Sequence, residues 1–183
     1  MNKITDELFS RFKENLEGVD GTCVRSSADE LAQTLVRLFK EQGLSDTCLV
    51  ETELLKEAGV ADALREAGIE VYTDHIRLHG ETAKGGITEN AYGIAELGTM
   101  VQFGDEVDAR LAGTMSESYF GIVKGSAIVP SYDDMFEMLG NLPELPNFVG
   151  FITGPSRTAD IECVGTVGVH GPVRLTAIVV DDR

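Results

Sequence analysis

The chain has 183 residues, which at roughly 150 residues per domain gives one domain with room for a full core. Hydrophobic residues make up 43% and charged residues 25%, an ordinary globular composition that excludes wholesale disorder and fibrous classes. Lys and Arg number 15 against 31 Asp and Glu, so the formal charge is −16; phosphate backbones and anionic lipid surfaces are repelled, and neither nucleic acid nor membrane is an expected partner.

Ile4, Leu8, Phe12 and Leu16 recur every four residues and predict a first helix that stops at Gly18. This N-terminus carries Asp6, Glu7 and Glu14 and lacks an apolar targeting stretch, so a cytoplasmic location is expected. Ser27 with Glu30 reads as a capping box that opens a second helix through Leu31, Leu35 and Leu38, closed by Gly43. Thr47–Val50 reads as a buried strand, residues 53–67 as a helix closed by Gly68, and Ile69–Tyr72 as another strand. From Thr73 to Gly93 periodicity is lost among polar residues and glycines, which predicts a long loop.

Strand patterns return at Thr99–Phe103, Ser118–Val123 and Ala127–Val129. Ser131, with Asp133 and Asp134 in the first turn, then opens a helix that Pro143 and Pro146 stop. Phe148–Ile152 reads as a short strand, GPSRTADIE as a turn into a helix start, and Val173–Val180 as a β-branched terminal strand. Strands separated by helices imply an α/β fold, a Rossmann-like, mostly parallel sheet with helices on both faces. In such a sheet the loops after Tyr72, Phe103 and Ile152 are the expected places for chemistry, since ligands settle outside strand carboxyl ends.

Three segments are candidate carriers of chemistry. In the Gly154-Pro155-Ser156-Arg157-Thr158 turn, helix-start amides with Ser156, Thr158 and the Arg157 fork can hold an anion; alternatively Ser156 or Thr158 caps the helix and Arg157 pairs with Asp160 or Glu162. Glu96 lies among small residues ahead of Gly98 and Thr99, either as an acid, base or nucleophile or as an acceptor that fixes its loop. His170, between glycines, either donates a proton near neutral pH or satisfies loop carbonyls. Cys23, Cys48 and Cys163 form no CxxC pair, and His75 with His79 lacks an acidic third ligand at metal spacing, so no cofactor or metal is expected on this chain.

The tail ITGPSRTADIECVGTVGVHGPVRLTAIVVDD, together with GIAELGT upstream, resembles the LUD domain, the lactate-utilisation family of LutC- and YkgG-like proteins. The resemblance covers roughly Thr47 to Asp182. It implies a NagB/RpiA/CoA transferase-like fold and a part in oxidising L-lactate to pyruvate, with iron–sulfur clusters on two LutA- and LutB-like partner proteins. It also implies a site made of Glu96 and His170 with Gly98, Thr99, Gly154, Ser156, Arg157, Thr158 and Asp160, binding a small anionic metabolite. Fold-level analogy leaves open a stand-alone enzyme acting on a coenzyme A ester or sugar phosphate, or a metabolite-sensing scaffold.

Overall fold

The computed structural model describes residues 4–158 and 165–181. Its first helix, α1 (Asp6–Glu17), starts where the Thr5 hydroxyl accepts from the Leu8 N–H at 3.2 Å, and it buries Phe12 and Leu16 as their spacing predicts. A strand not read from the sequence follows, β1 (Thr22–Ser27), so Ser27 ends a strand rather than capping a helix. Its hydroxyl instead donates to the Glu30 carboxylate at 3.2 Å. The second helix, α2 (Leu31–Gln42), closes at Gly43 in the left-handed conformation. After β2 (Asp46–Leu49), the helix expected over 53–67 is two pieces, α3 (Glu53–Glu57) and α4 (Val60–Glu66), because Gly59 at φ 66° breaks the backbone spiral. Next come β3 (Glu70–Tyr72) and the single-turn α5 (Ile76–His79).

The expected loop from Thr73 to Gly93 is largely structured. It holds α5, the start of β5 (Tyr92–Ile94), and β4 (Gly85–Asn90), a strand hydrogen-bonded on both sides. The chain continues through β6 (Thr99–Phe103), α6 (Val107–Thr114), β7 (Ser118–Lys124), β8 (Ile128–Val129), α7 (Tyr132–Gly140) and β9 (Val149–Ile152). The helix expected to begin in GPSRT is absent over its described part; Arg157–Thr158 form β10, paired antiparallel with β11 (Thr166–Val167). Asp160 and Glu162 lie outside the described residues. The last strand is β12 (Arg174–Asp181).

The principal sheet has the order β1-β12-β7-β4-β2-β3, with every pair parallel. On one face α2, α3 and α4 seal a core in which Phe39 stacks on Phe120 at 4.6 Å. The other face carries α1 and a second, four-stranded sheet of order β8-β5-β6-β9, meeting at Phe12, Leu16, Met100, Tyr119 and Val179. That second sheet is partly antiparallel and was not anticipated; α7 covers its outer side through Met135 and Leu139. The α/β fold with a mostly parallel central sheet follows the sequence, but helices share one of its faces with a sheet.

A chain of polar groups crosses the junction between the sheets. The Tyr119 hydroxyl meets the Thr88 hydroxyl at 2.6 Å and accepts from Asn90 Nδ2 at 3.0 Å, while Gln102 Nε2 donates to the Thr88 hydroxyl at 3.2 Å. Burial pushes the Tyr119 phenol above its ordinary pKa. Mutual hydrogen bonding is what makes four polar side chains tolerable in an apolar core.

The helix start read at Ser131 is present and proves to be a full capping box: its hydroxyl accepts from the Asp134 N–H at 3.2 Å and the Asp134 carboxylate accepts from the Ser131 N–H at 3.0 Å. Ser131→Ala is expected to cost about 1 kcal/mol by urea denaturation, because it removes the side-chain acceptor that caps the Asp134 N–H in the first turn of α7.

Candidate active site

The two motifs singled out in the sequence meet over the carboxyl end of α1. Asn15 Nδ2 donates to the carbonyls of Ala95 at 2.9 Å and Glu96 at 3.0 Å, seating the β5–β6 turn on the helix. At Gly98, φ is 62° and an added Cβ would stand 2.2 Å from the Leu16 nitrogen, so both conformation and contact demand glycine. Gly154 lies against the Val19 carbonyl just beyond the same helix. Arg157 donates to that Val19 carbonyl and pairs with Asp20 at 2.7 Å. The hydroxyls of Thr99 and Thr153 join the segments directly at 2.6 Å.

Beside this junction is a cleft of about 360 Å³, lined by Thr153 to Arg157, His170 to Pro172, Gln102 and the rings of Phe148 and Phe151. Ser156 organises its wall. Its N–H donates to the Pro172 carbonyl at 2.9 Å, its carbonyl accepts from the Gly168 N–H at 2.9 Å, and its hydroxyl accepts from the His170 N–H at 3.2 Å. Thr158 pairs with Thr166 in the β10–β11 ribbon. Gly154, Ser156, Arg157 and His170 therefore share one cleft, and Thr99 touches it through Thr153.

Glu96 is placed differently. One carboxylate oxygen accepts from the Tyr132 N–H at 2.9 Å, at the start of α7, where a negative charge complements the helix dipole. The other stands 3.9 Å from Arg11, with the Glu96 side chain 43% exposed. It is not among the residues lining the cleft, although its backbone belongs to the turn that Gly98 and Thr99 complete.

The cleft also departs from the expected position. It lies by the amino ends of β7 and β12, next to Gly113 and Thr114 ahead of Ser118 and next to Pro172 ahead of Arg174. The loops after Phe103 and Ile152 leave strands of the second sheet, so the carboxyl-end rule for parallel strands does not govern them. The sequence reading missed Asp20 and Gln102. An Asp-Gly step after a helix reads as a turn, and nothing local announces a partner for Arg157 well over a hundred residues later. Among the described residues no group of three or more His, Cys, Asp or Glu is arranged to hold a metal ion, and no helix is long and apolar enough to cross a membrane.

Residues 9–180, nearly the whole chain, match the LUD domain. The chain belongs to the LUD-domain family. It is 33% identical to lactate utilization protein C 1 of Bacillus mycoides (strain KBAB4), over 97% of this chain and 81% of that protein. It is 30% identical to lactate utilization protein C of Macrococcus caseolyticus, over 97% and 80% of the two chains, and 30% identical to YkgG of Escherichia coli K12, over 87% and 73%. A crystal structure of a DUF162 family protein from Deinococcus radiodurans superposes with a TM-score of 0.69, covering 95% of this LUD domain and 96% of that chain at 20% identity. That likeness establishes the fold.

Proposed function

We propose that this LUD domain serves L-lactate utilisation as a cluster-free member of a lactate-oxidising assembly, working beside iron–sulfur partner proteins and binding a small carboxylate in the Ser156–Arg157–His170 cleft. The observation that carries the reading is the match to lactate utilization protein C sequences over 97% of the chain. The cleft supports it chemically. Arg157 is the guanidinium on its wall, able to grip a carboxylate in two bonds, and the Ser156 hydroxyl stands beside His170. The pairing of Arg157 with Asp20 holds that fork in place and competes with an incoming anion.

This competition gives the test a sign. In calorimetric titrations with L-lactate and pyruvate, Asp20→Asn is expected to tighten binding several-fold and Arg157→Ala to weaken it roughly tenfold or more, the loss typical of a charge-assisted hydrogen bond. Asn tolerates the left-handed backbone of position 20, where φ is 63°, so the fold survives that change. Absence of binding by the native chain and by Asp20→Asn refutes carboxylate capture. Lactate-dependent reduction of an artificial acceptor, assayed with co-expressed iron–sulfur partners with and without this chain, tests the assembly; activity indifferent to its presence refutes membership.

A further inference from the structure

A second cleft lies at the opposite, carboxyl end of the strands of the principal sheet, where the topology itself opens a gap. From β2 the chain runs outward to the edge strand β3, then crosses back past β2 to β4 and continues to β7 and β12, so the direction of winding reverses between β2 and β4. Beyond Leu49 the two strands part: Thr52 leaves with α3 while Asn90 leads into β5. Outside the carboxyl ends of parallel strands, such a reversal is where open α/β sheets hold ligands. The crevice here measures about 360 Å³ and is lined by Thr52, Glu89, Asn90, Ala91, Phe103 and Lys124.

Its polar groups are few and convergent. Glu89, with its side chain 16% exposed, faces Lys124 Nζ at 3.0 Å through one oxygen and takes a hydrogen bond from the Thr52 hydroxyl through the other. A carboxylate offers about four acceptor positions and an ammonium three donors, so each retains capacity toward the crevice. Asn90 turns inward to Tyr119, and Phe103 supplies an apolar wall. The Glu89–Lys124 pair is neutral as a unit. An anionic ligand meets the Glu89 carboxylate, in a chain that already carries a charge of −16, and a cationic ligand meets Lys124.

We propose that this crevice binds a neutral ligand bearing neighbouring hydroxyls, a cyclic sugar, with one hydroxyl donating to Glu89, the next accepting from Lys124, and the C–H face of the ring against Phe103. A donor and an acceptor held 3.0 Å apart complement two adjacent hydroxyls, each of which both gives and accepts a hydrogen bond. The assignment is independent of the carboxylate reading of the first cleft, which lies at the amino ends of β7 and β12.

The test is a proton–nitrogen correlation titration of the full chain with methyl α-D-glucoside, a non-reducing sugar that cannot condense with a lysine amine. D-sorbitol serves as the open-chain counterpart and L-lactate as the anionic arm. Saturable shifts at the amides of Thr52, Glu89, Ala91 and Lys124 are expected with the glucoside, with sorbitol weaker and L-lactate without effect there. Glu89→Gln and Lys124→Met are each expected to weaken glucoside binding roughly tenfold. The second variant keeps the question open to refutation if the first does not fold. No saturable shifts, shifts unchanged in a folded variant, or shifts from L-lactate but not from the glucoside each overturn the proposal.

Discussion

Replacing Gly98 by alanine is expected to cost about 2–5 kcal/mol, a large share of the stability of a domain held together by about 5–15 kcal/mol. Two effects add. Alanine at φ 62° bears a left-handed strain of about 1–2 kcal/mol, and its methyl group would stand 2.2 Å from the Leu16 nitrogen. That neighbour is helix backbone and cannot swing aside, so α1 must lift from the β5–β6 turn, at the further cost typical of overpacking, about 1–3 kcal/mol. Gly59→Ala separates the two effects, since φ there is 66° with nothing within 4 Å of an added Cβ; it should lose only the strain. Urea midpoints compare the variants, and faster proteolysis within α1 reports the lifted helix. Equal losses at both positions contradict the steric account.

Alkaline pH is expected to destabilise the protein progressively from about pH 9 upward, over the same range in which its lysines titrate. Burial pushes the Cys23 thiol from 9.0 up to about 12 and the Cys48 thiol from 9.0 up to about 11, at side chains only 3% and 1% exposed. Both folded-state values exceed that of an unfolded chain, so the unfolded chain releases these protons first. The stability they contribute is intact below pH 9 and is eroded as pH rises toward 11 to 12. At roughly 1.4 kcal/mol per unit and per group, the two thiols together remove on the order of 5 kcal/mol by about pH 11. Tyr119, whose pKa burial raises above 10, acts in the same direction beyond that point. Urea midpoints between about pH 8 and pH 11 measure the loss, and the double variant Cys23→Ala, Cys48→Ala should flatten it over that range. A native chain with a constant midpoint shows that these thiols ionise without resistance.

Local chemistry made much of the fold legible. The β-branched run of β12, the Ser131 helix start and the Gly43 terminus each specify their element within a few residues. β4 escaped because GGITEN looks like punctuation; yet a Cβ at Gly86 would stand 2.0 Å from the Ala112 carbonyl, so glycine is what lets α6 lie on that strand. β1 escaped because in TCVRSS only Cys23 and Ser26 are fully buried, with Val24 partly buried against the opposite core, too little apolar alternation to register as a pattern. In the candidate site, Ser156, Arg157 and His170 were legible as residue types at a tight turn. Their grouping was not, because it rests on partners distant in sequence: Asp20 for Arg157, Thr99 for Thr153 and Pro172 for Ser156. Glu96 was legible as a carboxylate among small residues, but its direction depends on the start of α7, which only the tertiary structure brings to it.

The hydrogen-bonded set of Thr88, Asn90, Gln102 and Tyr119 draws its members from β4, β6 and β7, and so from both sheets. Peeling the smaller sheet away would strand donors and acceptors in hydrocarbon on each side of the seam, a penalty that no water at the periphery can relieve. Partial opening along that seam is thereby disfavoured, and amide protons of β4 and β6 should exchange with solvent in a single cooperative event, while the β10–β11 ribbon is free to breathe on its own.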